Sequence, residues 1–278
     1  MQQRVSAGTQ KLFLQIASLN LCKLAFAKNT FLQYMPERSF DDFDKYAKDY
    51  RSIHTDNIKM SGANSFYFAQ MKVKLLQGYE ENKTLKILDI GCGDGTTEGF
   101  INKYFPEWKI TAIDISEKSI EEAKSKNIFN CDFQAYDGIN IPFENEIFDI
   151  VFMAGVLHHI DFSLHSNLIK QINRVLKKAG RFYLFEHNPF NPLTRYLVNT
   201  CEFDKKAKLL KSNYTVNLLK KNNFTIDRKE FIIFFPRKGI LSKFIFLEKY
   251  LQWLPLGGQY FIIAKKKLIK IDFLIYQK

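Results

Sequence analysis

Cysteine is scarce in this sequence of 278 residues, and long apolar runs are missing. Cys22, Cys92, Cys131 and Cys201 are widely scattered and form no Cys-x-x-Cys pair, and there are no paired histidines at ligand spacing. The pattern therefore favours neither a disulfide framework nor a zinc site, and we expect no bound metal and a reducing, intracellular compartment. No run approaches the ~18 apolar residues that a bilayer-spanning helix needs, so no transmembrane segment is expected.

Acidic side chains are absent from residues 1–36, which carry four basic ones. The apolar stretch in this region superficially resembles a secretory signal, but Gln15, Asn20 and Lys23 interrupt it. Its amphipathic, acid-free character would also fit an organellar presequence. We expect residues 1–36 to be a poorly ordered extension that the folded domain does not need, and residues 37–278 to form a single domain.

The net charge of +12 is unevenly distributed along the chain. Residues 37–186 carry nineteen basic and twenty-three acidic side chains, whereas residues 187–278 carry eighteen and six. A uniformly basic surface would favour nucleic acid. This distribution instead suggests a near-neutral core with a basic cap, whose partner is an anionic substrate or a membrane surface.

From residue 84 onward, short β-rich apolar runs alternate with helical patterns. Such alternation predicts parallel strands joined by right-handed crossovers, with helices on both faces. The fold class is therefore α/β, a doubly wound and mostly parallel sheet of seven strands with an N-terminal helical extension. Ser116 is expected to begin the second helix, and Gly180 to end the helix before the fifth strand.

The stretch ILDIGCGDGTTEGF, residues 87–100, has the pattern of a buried strand, a glycine-rich turn and a helix. A dinucleotide fingerprint needs Gly-x-Gly-x-x-Gly, and here Thr96 takes the third glycine position. A carboxylate at the strand end would also repel a pyrophosphate, although it suits a cationic ligand. The actual spacing is Asp-x-Gly-x-Gly-x-Gly, formed by Asp89, Gly91, Gly93 and Gly95.

At these residues the sequence resembles the class I S-adenosylmethionine-dependent methyltransferases, and most closely their small-molecule branch, which includes the quinone-biosynthesis enzymes. The resemblance covers residues 40–189. In that family the glycines let the backbone approach the methionine part of the cofactor, and the acidic residue helps to bind its ammonium group. The resemblance implies S-adenosyl-L-methionine as cofactor, a cofactor-binding core at 84–187, an acceptor-shaping and late-strand region at 188–266, and a basic tail at 267–278.

Further cofactor contacts follow from the resemblance. Asp114 ends the second strand, where a carboxylate can accept both ribose hydroxyls, and Asp137 matches the position that contacts the adenine amino group. Tyr50 lies in a segment that closes over the cofactor in this branch, although it could simply pack on the core. For any single aspartate the alternative is a strand-end cap. The expected cofactor-binding residues are Asp89, Gly91, Cys92, Gly93, Gly95, Asp114, Ile115, Asp137, Gly138, Ala154, Gly155 and Tyr50.

Three side chains are candidates for acting on the methyl acceptor. Transfer from a sulfonium depends mainly on positioning, and a base helps only when the acceptor is a hydroxyl or a protonated amine. His159 is the preferred candidate because members of the family carry a histidine there. His158, beside it after the fourth strand, and Glu186, at the end of the fifth, are the others. Alternatively, the histidines cap or orient their loop, and Glu186 is a hydrogen-bonded strand end.

The expected activity is methyl transfer from S-adenosylmethionine to a small-molecule or lipid-linked acceptor. Amino-methyltransferases of nucleic acids share an Asn/Asp-Pro-Pro-aromatic run after the fourth strand, where this chain has MAGV. Nucleic acid is therefore the less favoured partner. Two alternatives stay open: methylation of RNA or protein, and a cofactor-binding regulator without catalysis.

Residues 237–258, between the two late strands, have an amphipathic helical pattern. Long connections in compact domains are usually functional. The segment is expected to cover the acceptor site or touch a membrane surface, and the alternative is that its apolar stripe packs on the sheet. The chain is accordingly expected to be cytoplasmic, with peripheral membrane contact if the membrane interpretation holds.

Overall fold

Seven strands form one sheet in the computed structural model, which describes residues 41–47, 49–81 and 83–268. The strands lie in the order β3-β2-β1-β4-β5-β7-β6. Only β7 runs antiparallel to its neighbours. They are β1 (Lys86–Ile90), β2 (Lys109–Asp114), β3 (Cys131–Ala135), β4 (Phe148–Ala154), β5 (Leu176–His187), β6 (Phe224–Ile232) and β7 (Gln259–Lys266).

Helices precede the sheet and connect most of its strands. Ser116 begins the helix after β2 as predicted, and its hydroxyl oxygen accepts a hydrogen bond from the Ser119 N–H at 3.1 Å. Short 3₁₀ turns occur at Lys59–Ser61, Leu157–His159 and Ile240–Leu247. The α-helices are α1 (Asp41–Asp44), α2 (Tyr50–Asn57), α3 (Ser65–Gln77), α4 (Thr96–Tyr104), α5 (Glu117–Ser125), α6 (Phe162–Val175), α7 (Pro192–Thr200), α8 (Ser212–Lys221) and α9 (Glu248–Leu251).

The sheet is covered on both faces, because its central strands are apolar at nearly every position. Alternate side chains of one strand point to opposite faces. In β4, Val151 packs into one apolar cluster and Phe152 into the other. The predicted doubly wound, mostly parallel seven-stranded fold is confirmed. In such a sheet, ligands bind beyond the carboxyl ends of the parallel strands.

The boundary between α6 and β5 differs from the prediction. The helix ends at Val175, and Gly180 lies within β5 instead of ending the helix. Pairing between β4 and β5 shifts register between Phe148 and Ile150. The strand therefore begins with an irregular stretch, in which Ala179 has φ of 61°. Strand pairing overrides the helical preference of these lysine- and alanine-containing residues.

The segment 237–258 also differs from the prediction. Instead of one amphipathic helix it forms the 3₁₀ turn Ile240–Leu247 followed by the single helical turn α9. A 3₁₀ helix has three residues per turn, so apolar residues spaced for an α-helix do not collect on one face. None of the residues of these two elements is fully buried, although Leu247 and Leu251 of the predicted stripe are half-buried, so both interpretations of the stripe stay predictions.

Two expectations fall beyond the described structure. The predicted extension, residues 1–36, and the basic tail after residue 268 lie outside the described residues. Among the residues that are described, no helix is both long and apolar enough to cross a membrane.

Candidate active site

The glycine loop joins β1 to α4 through three glycines with positive φ: 80° at Gly91, 55° at Gly93 and 77° at Gly95. Glycine adopts this left-handed region without a steric penalty. A Cβ on Gly91 would lie 2.3 Å from Val156 Cγ2, so this position requires glycine for packing. A Cβ on Gly93 would meet no described atom within 4 Å. The backbone at Gly93 therefore borders open space into which a ligand can fit.

Two carboxylates, Asp114 and Asp94, fix the position of the loop. Asp114 Oδ2 accepts the Gly93 N–H at 2.8 Å, and its Oδ1 accepts the Ser116 N–H at 2.9 Å. Asp94 forms ion pairs with Arg51 at 2.5 Å and with Lys126 at 2.8 Å. Burial alone would raise the pKa of Asp94, but the hydrogen bonds and charges of these two cations hold that pKa well below its usual range. Arg51 thereby ties α2 to the loop.

Three carboxyl groups gather beneath the loop. Asp89 and Glu98 are almost fully buried, and Asp114 is half-buried. Burial raises the pKa of Asp89 to about 7 and that of Glu98 well above its usual value. The side chains of Asp89 and Glu98 lie close enough to interact directly, and this interaction contributes to both pKa values. A cationic ligand would stabilise such a cluster, so this chemistry and the open space at Gly93 both fit S-adenosylmethionine, which carries a sulfonium and an ammonium group.

The other predicted cofactor residues differ in how closely they approach the loop. Ile115 follows Asp114 directly and is half-buried, while Cys92 is buried within the loop itself. Asp137 accepts the N–H groups of Ile139 and Asn140 at 2.8 and 2.7 Å, so it caps its own turn, which includes Gly138. Tyr50 begins α2, and its side chain lies outside the described residues. The roles of Asp137, Gly138 and Tyr50 toward the cofactor stay predictions.

A cavity opens at the carboxyl edge of the sheet. Ala154, which ends β4, and Gly155, which follows it, line the cavity together with His158, His159 and Glu186. Apolar side chains also line it: Leu193, Leu197, Val198, Phe203, Phe234 and Phe235. Two of the residues predicted to contact the cofactor, Ala154 and Gly155, therefore share one cavity with the three predicted to act on the acceptor, whereas the glycine loop does not line it.

The two histidines belong to a buried polar network. Glu186 Oε2 lies 2.6 Å from His158 Nδ1, and Glu186 Oε1 accepts the Leu157 N–H at 2.9 Å. On the other side, Asp204 Oδ1 lies 3.3 Å from His159 Nε2 and 3.9 Å from His158 Nε2. His158 thus stands between two carboxylates.

This arrangement shifts the pKa values of His158 and His159 in opposite directions. Burial alone would lower the pKa of His158, but the charge of Glu186 and hydrogen bonds to Asp204 and Glu186 raise it to about 9. Burial and the neighbouring charge of His158 lower the pKa of His159. The pKa of His158 thus lies above its usual value and that of His159 below it.

Three residues of the site were not anticipated from the sequence. Asp204 follows α7 in a stretch without a recognisable motif, and Arg51 and Lys72 lie in helices before the sheet. Lys72 lines the cavity, and burial together with the charge of Arg51 lowers its pKa to about 8. For Arg51 and Lys72, the only available sequence signal was the presence of basic residues in the helices before the sheet. Nothing in the local sequence points to Asp204.

Comparison with known proteins agrees with this geometry. Residues 87–180 match a family model described as a methyltransferase domain. The chain is 29% identical over 144 residues to a demethylmenaquinone methyltransferase of Staphylococcus carnosus, covering 49% of this chain and 58% of that protein. It is 33% identical over 119 residues to an uncharacterised methyltransferase, YcgJ, of Bacillus subtilis, covering 41% and 46%. The alignments thus span about half the length of these curated relatives.

A solved structure extends the similarity over most of the chain. The crystal structure of a methyltransferase of Thermotoga maritima, described as a possible histamine N-methyltransferase, superposes with a TM-score of 0.59 at 18% identity. It covers 83% of this chain and 100% of that one. At this identity the superposition supports the fold alone. Taken together, the family model identifies residues 87–180 as a methyltransferase domain, and the superposition places them in the Rossmann-like fold of solved methyltransferase structures.

Proposed function

We propose that this protein transfers a methyl group from S-adenosylmethionine to a small-molecule or lipid-linked acceptor bound in the cavity. The observation that carries the proposal is the shared cavity at the carboxyl edge of the sheet. Ala154 and Gly155, next to the predicted cofactor position, face the same space as His158, His159 and Glu186. Acceptor and cofactor would therefore meet within one enclosure.

The loop and its carboxylates are assigned to cofactor binding. S-adenosylmethionine supplies an activated methyl group on a positively charged sulfur. The backbone at Gly93 would approach the cofactor, Asp89 would face its ammonium group, and Asp114 would accept its ribose hydroxyls. Lys72 contributes a positive charge on the cavity wall that suits a carboxylate. The ion pair between Arg51 and Asp94 keeps α2 against the loop.

The wall of the cavity favours an acceptor with an apolar body. The side chains from α7 and from the residues after β6 are mainly aromatic and aliphatic, and polar groups such as Lys72, Asn191 and Thr194 lie among them. Ligand pockets for small molecules have this composition, with a few polar groups that fix orientation. A pocket for a nucleobase, or a basic groove for a nucleic-acid strand, would require a different surface.

The proposed function is tested by following labelled methyl groups. Purified protein, labelled S-adenosylmethionine and a cell extract are incubated, and the label is then separated into lipid, small-molecule, RNA and protein fractions. We expect the label in the lipid or small-molecule fraction. Label in RNA or protein would reject the acceptor class, and cofactor binding without transfer to any fraction would favour a regulator.

His159 is assigned to the acceptor because it is the more exposed of the two histidines and lines the cavity. We expect His159→Ala to lower turnover about 100-fold or more, the scale for a group that promotes proton loss from the acceptor. Cofactor affinity should change little, because the residue is not part of the glycine loop. Steady-state rates and calorimetric titration of the cofactor measure the two effects. Unchanged turnover between pH 6 and 9 would return His159 to a loop-orienting role.

The segment 237–258 is assigned to contact with an anionic membrane surface. Trp253 and Phe246 are 75% and 65% exposed, and further exposed apolar side chains lie beside them. Lys238, Lys243 and Lys249 supply positive charge, while Glu248 is neutralised by Arg237 at 3.0 Å. The segment begins after Phe235, which lines the cavity and contacts the exposed Phe244, with ring centroids 6.0 Å apart. A lipid-linked acceptor would thus have a short path from the bilayer to the cavity.

We expect the double variant Phe246→Ser/Trp253→Ser to lose most binding to anionic liposomes, because exposed aromatic side chains anchor proteins at the interface. Cofactor affinity should be unchanged. Phe129→Ser is the matched control, since Phe129 is 69% exposed but lies at the amino edge of the sheet, just before β3. Equal liposome binding by wild type and the double variant, in sedimentation with phosphatidylglycerol vesicles, would contradict the assignment.

A further inference from the structure

Two histidines and one carboxylate converge at one end of the cavity. One donor atom from each of His158, His159 and Asp204 lies within 4.8 Å of the other two. Asp204 Oδ1 is 3.3 Å from His159 Nε2 and 3.9 Å from His158 Nε2. Ligands bound about 2 Å from one tetrahedral zinc ion stand roughly 3.3 Å apart, so small side-chain adjustments would bring all three onto a common ion.

Glu186 supports this arrangement from behind. Its Oε2 lies 2.6 Å from His158 Nδ1, and both side chains are buried. The other ring nitrogen of His158, Nε2, is thereby directed toward Asp204. Histidines that bind metals commonly donate their second N–H to a carboxylate, which fixes the ring and strengthens the ligand. The Glu186–His158 pair has this form.

A third histidine provides an independent indication of a ligand. His187 lines the same cavity, and its ring centroid lies 5.2 Å from that of His158. Its Nδ1 is buried and has no hydrogen-bond partner within the described part of the chain. A buried ring nitrogen without a partner is costly. A metal ion or a water bound to it beside His158 would satisfy such an atom.

We propose that His158, His159 and Asp204 bind a divalent first-row transition-metal ion of the Zn²⁺ type. Two imidazoles and one carboxylate form a ligand set typical of such ions, and three protein ligands leave coordination positions open toward the cavity. The ion binds independently of methyl transfer. Its role toward the acceptor rests on the proposed function: a hydroxyl or thiol bound at an open position would have its pKa lowered, which favours the nucleophilic form.

This inference departs from the metal-free expectation drawn from the sequence. That expectation rested on the scattered cysteines and on the lack of histidine pairs at ligand spacing. Here the ligand set contains no cysteine. The two histidines are adjacent in a 3₁₀ turn, and the chain must fold before Asp204 reaches them.

Cobalt binding tests the proposal without relying on activity. The full, untagged chain is treated with a chelator and titrated with Co²⁺, whose tetrahedral complexes absorb visible light, and with Zn²⁺ in competition. We expect one saturable equivalent of Co²⁺ that Zn²⁺ displaces. Asp204→Asn and His159→Gln should each lose at least about 10-fold in affinity, and Glu186→Gln about 10- to 100-fold. Glu202→Gln, an exposed carboxylate two positions from Asp204 in the sequence, is the matched control and should bind as wild type does.

The outcomes separate this proposal from the proposed function. No saturable Co²⁺ or Zn²⁺ binding by the wild type, or equal binding by Asp204→Asn and His159→Gln, would overturn the metal site. S-adenosylmethionine binding is measured by calorimetry on the same metal-free samples. If the metal binds and the cofactor does not, the proposed function fails while the metal site stands. Circular dichroism shows whether each variant is folded. If Asp204→Asn or His159→Gln is unfolded, metal binding by the other of these two variants tests the site.

Discussion

Replacing Gly93 by alanine is expected to remove most of the affinity for S-adenosylmethionine while the domain stays folded. Gly93 has φ of 55°, so an alanine there costs about 1–2 kcal/mol in backbone strain. Its methyl group would touch no described atom within 4 Å, so the fold itself can accommodate it. The methyl group would instead occupy the space where the backbone is proposed to approach the cofactor. We expect the Kd to rise ~10- to 100-fold, or about 1.4–2.8 kcal/mol.

The chain offers a matched control for this variant. Gly239 has φ of 75°, and a Cβ there would likewise meet no described atom within 4 Å. Gly239→Ala should therefore bind the cofactor as wild type does, and it should lose at least as much stability, because at ψ of −171° its backbone lies in a region that is essentially restricted to glycine. Gly91→Ala, whose methyl group would collide with Val156, should instead destabilise the fold. Calorimetric titration and thermal melting distinguish the three, and unchanged cofactor affinity in Gly93→Ala would show that the cofactor does not approach this backbone.

Removing the Glu186 carboxylate should have the largest effect on stability. Glu186 is buried, and it accepts hydrogen bonds from the Leu157 N–H and faces His158 at 2.6 Å. Glu186→Ala leaves His158 and the Leu157 N–H without this partner. Breaking a buried pair on one side costs about 3–5 kcal/mol. Urea unfolding measures the loss, and Glu121→Gln, at an exposed position of α5, serves as the control that should stay within about 0.5 kcal/mol of wild type.

The same pair predicts a pH dependence with a definite sign. The pKa of His158 is raised from 6.5 to about 9 in the folded protein. Its contribution to stability is therefore fully present below pH 6.5 and is lost as the pH rises through about 9. The pKa of Glu186 is lowered, because the charge of His158 outweighs the effect of burial, so its contribution is present above its unfolded pKa and disappears in acid. In Glu186→Ala the free energy of unfolding should fall less between pH 7 and 9 than it does in wild type. An equal fall in both proteins would contradict this account.

Local patterns in the sequence were sufficient for the sheet and for the glycine loop. The strands are short apolar runs, and their periodicity is contained within each run, as in β1 and β4. The Asp89-to-Gly95 spacing lies on one continuous turn, whose backbone conformation depends mainly on the glycines themselves. Because these signals are local, the succession of strands along the chain and the position of the loop could be predicted before any tertiary contact was known.

Other features depend on contacts between distant residues. Whether residues 176–180 continue α6 or begin β5 is decided by pairing with β4, a neighbour that the local sequence does not specify. The apolar residues of 240–251 have a helical pattern, yet they form a 3₁₀ turn and a single helical turn that leave their side chains exposed or half-buried. Amphipathic periodicity is the same for a stripe that packs on a core and for one that faces solvent, so only the tertiary structure could separate these outcomes.

The sequence by itself determined the doubly wound sheet, the glycine loop and the histidine pair after β4, because each is encoded within a few consecutive residues. The tertiary structure alone decided the surroundings of that pair. Asp204 and Glu186 reach His158 from two different parts of the chain, and Arg51 crosses from α2 to Asp94 in the loop. The protonation of a histidine and its capacity to bind a metal ion depend on which charges fold against it, and those distances exist only once the chain has folded.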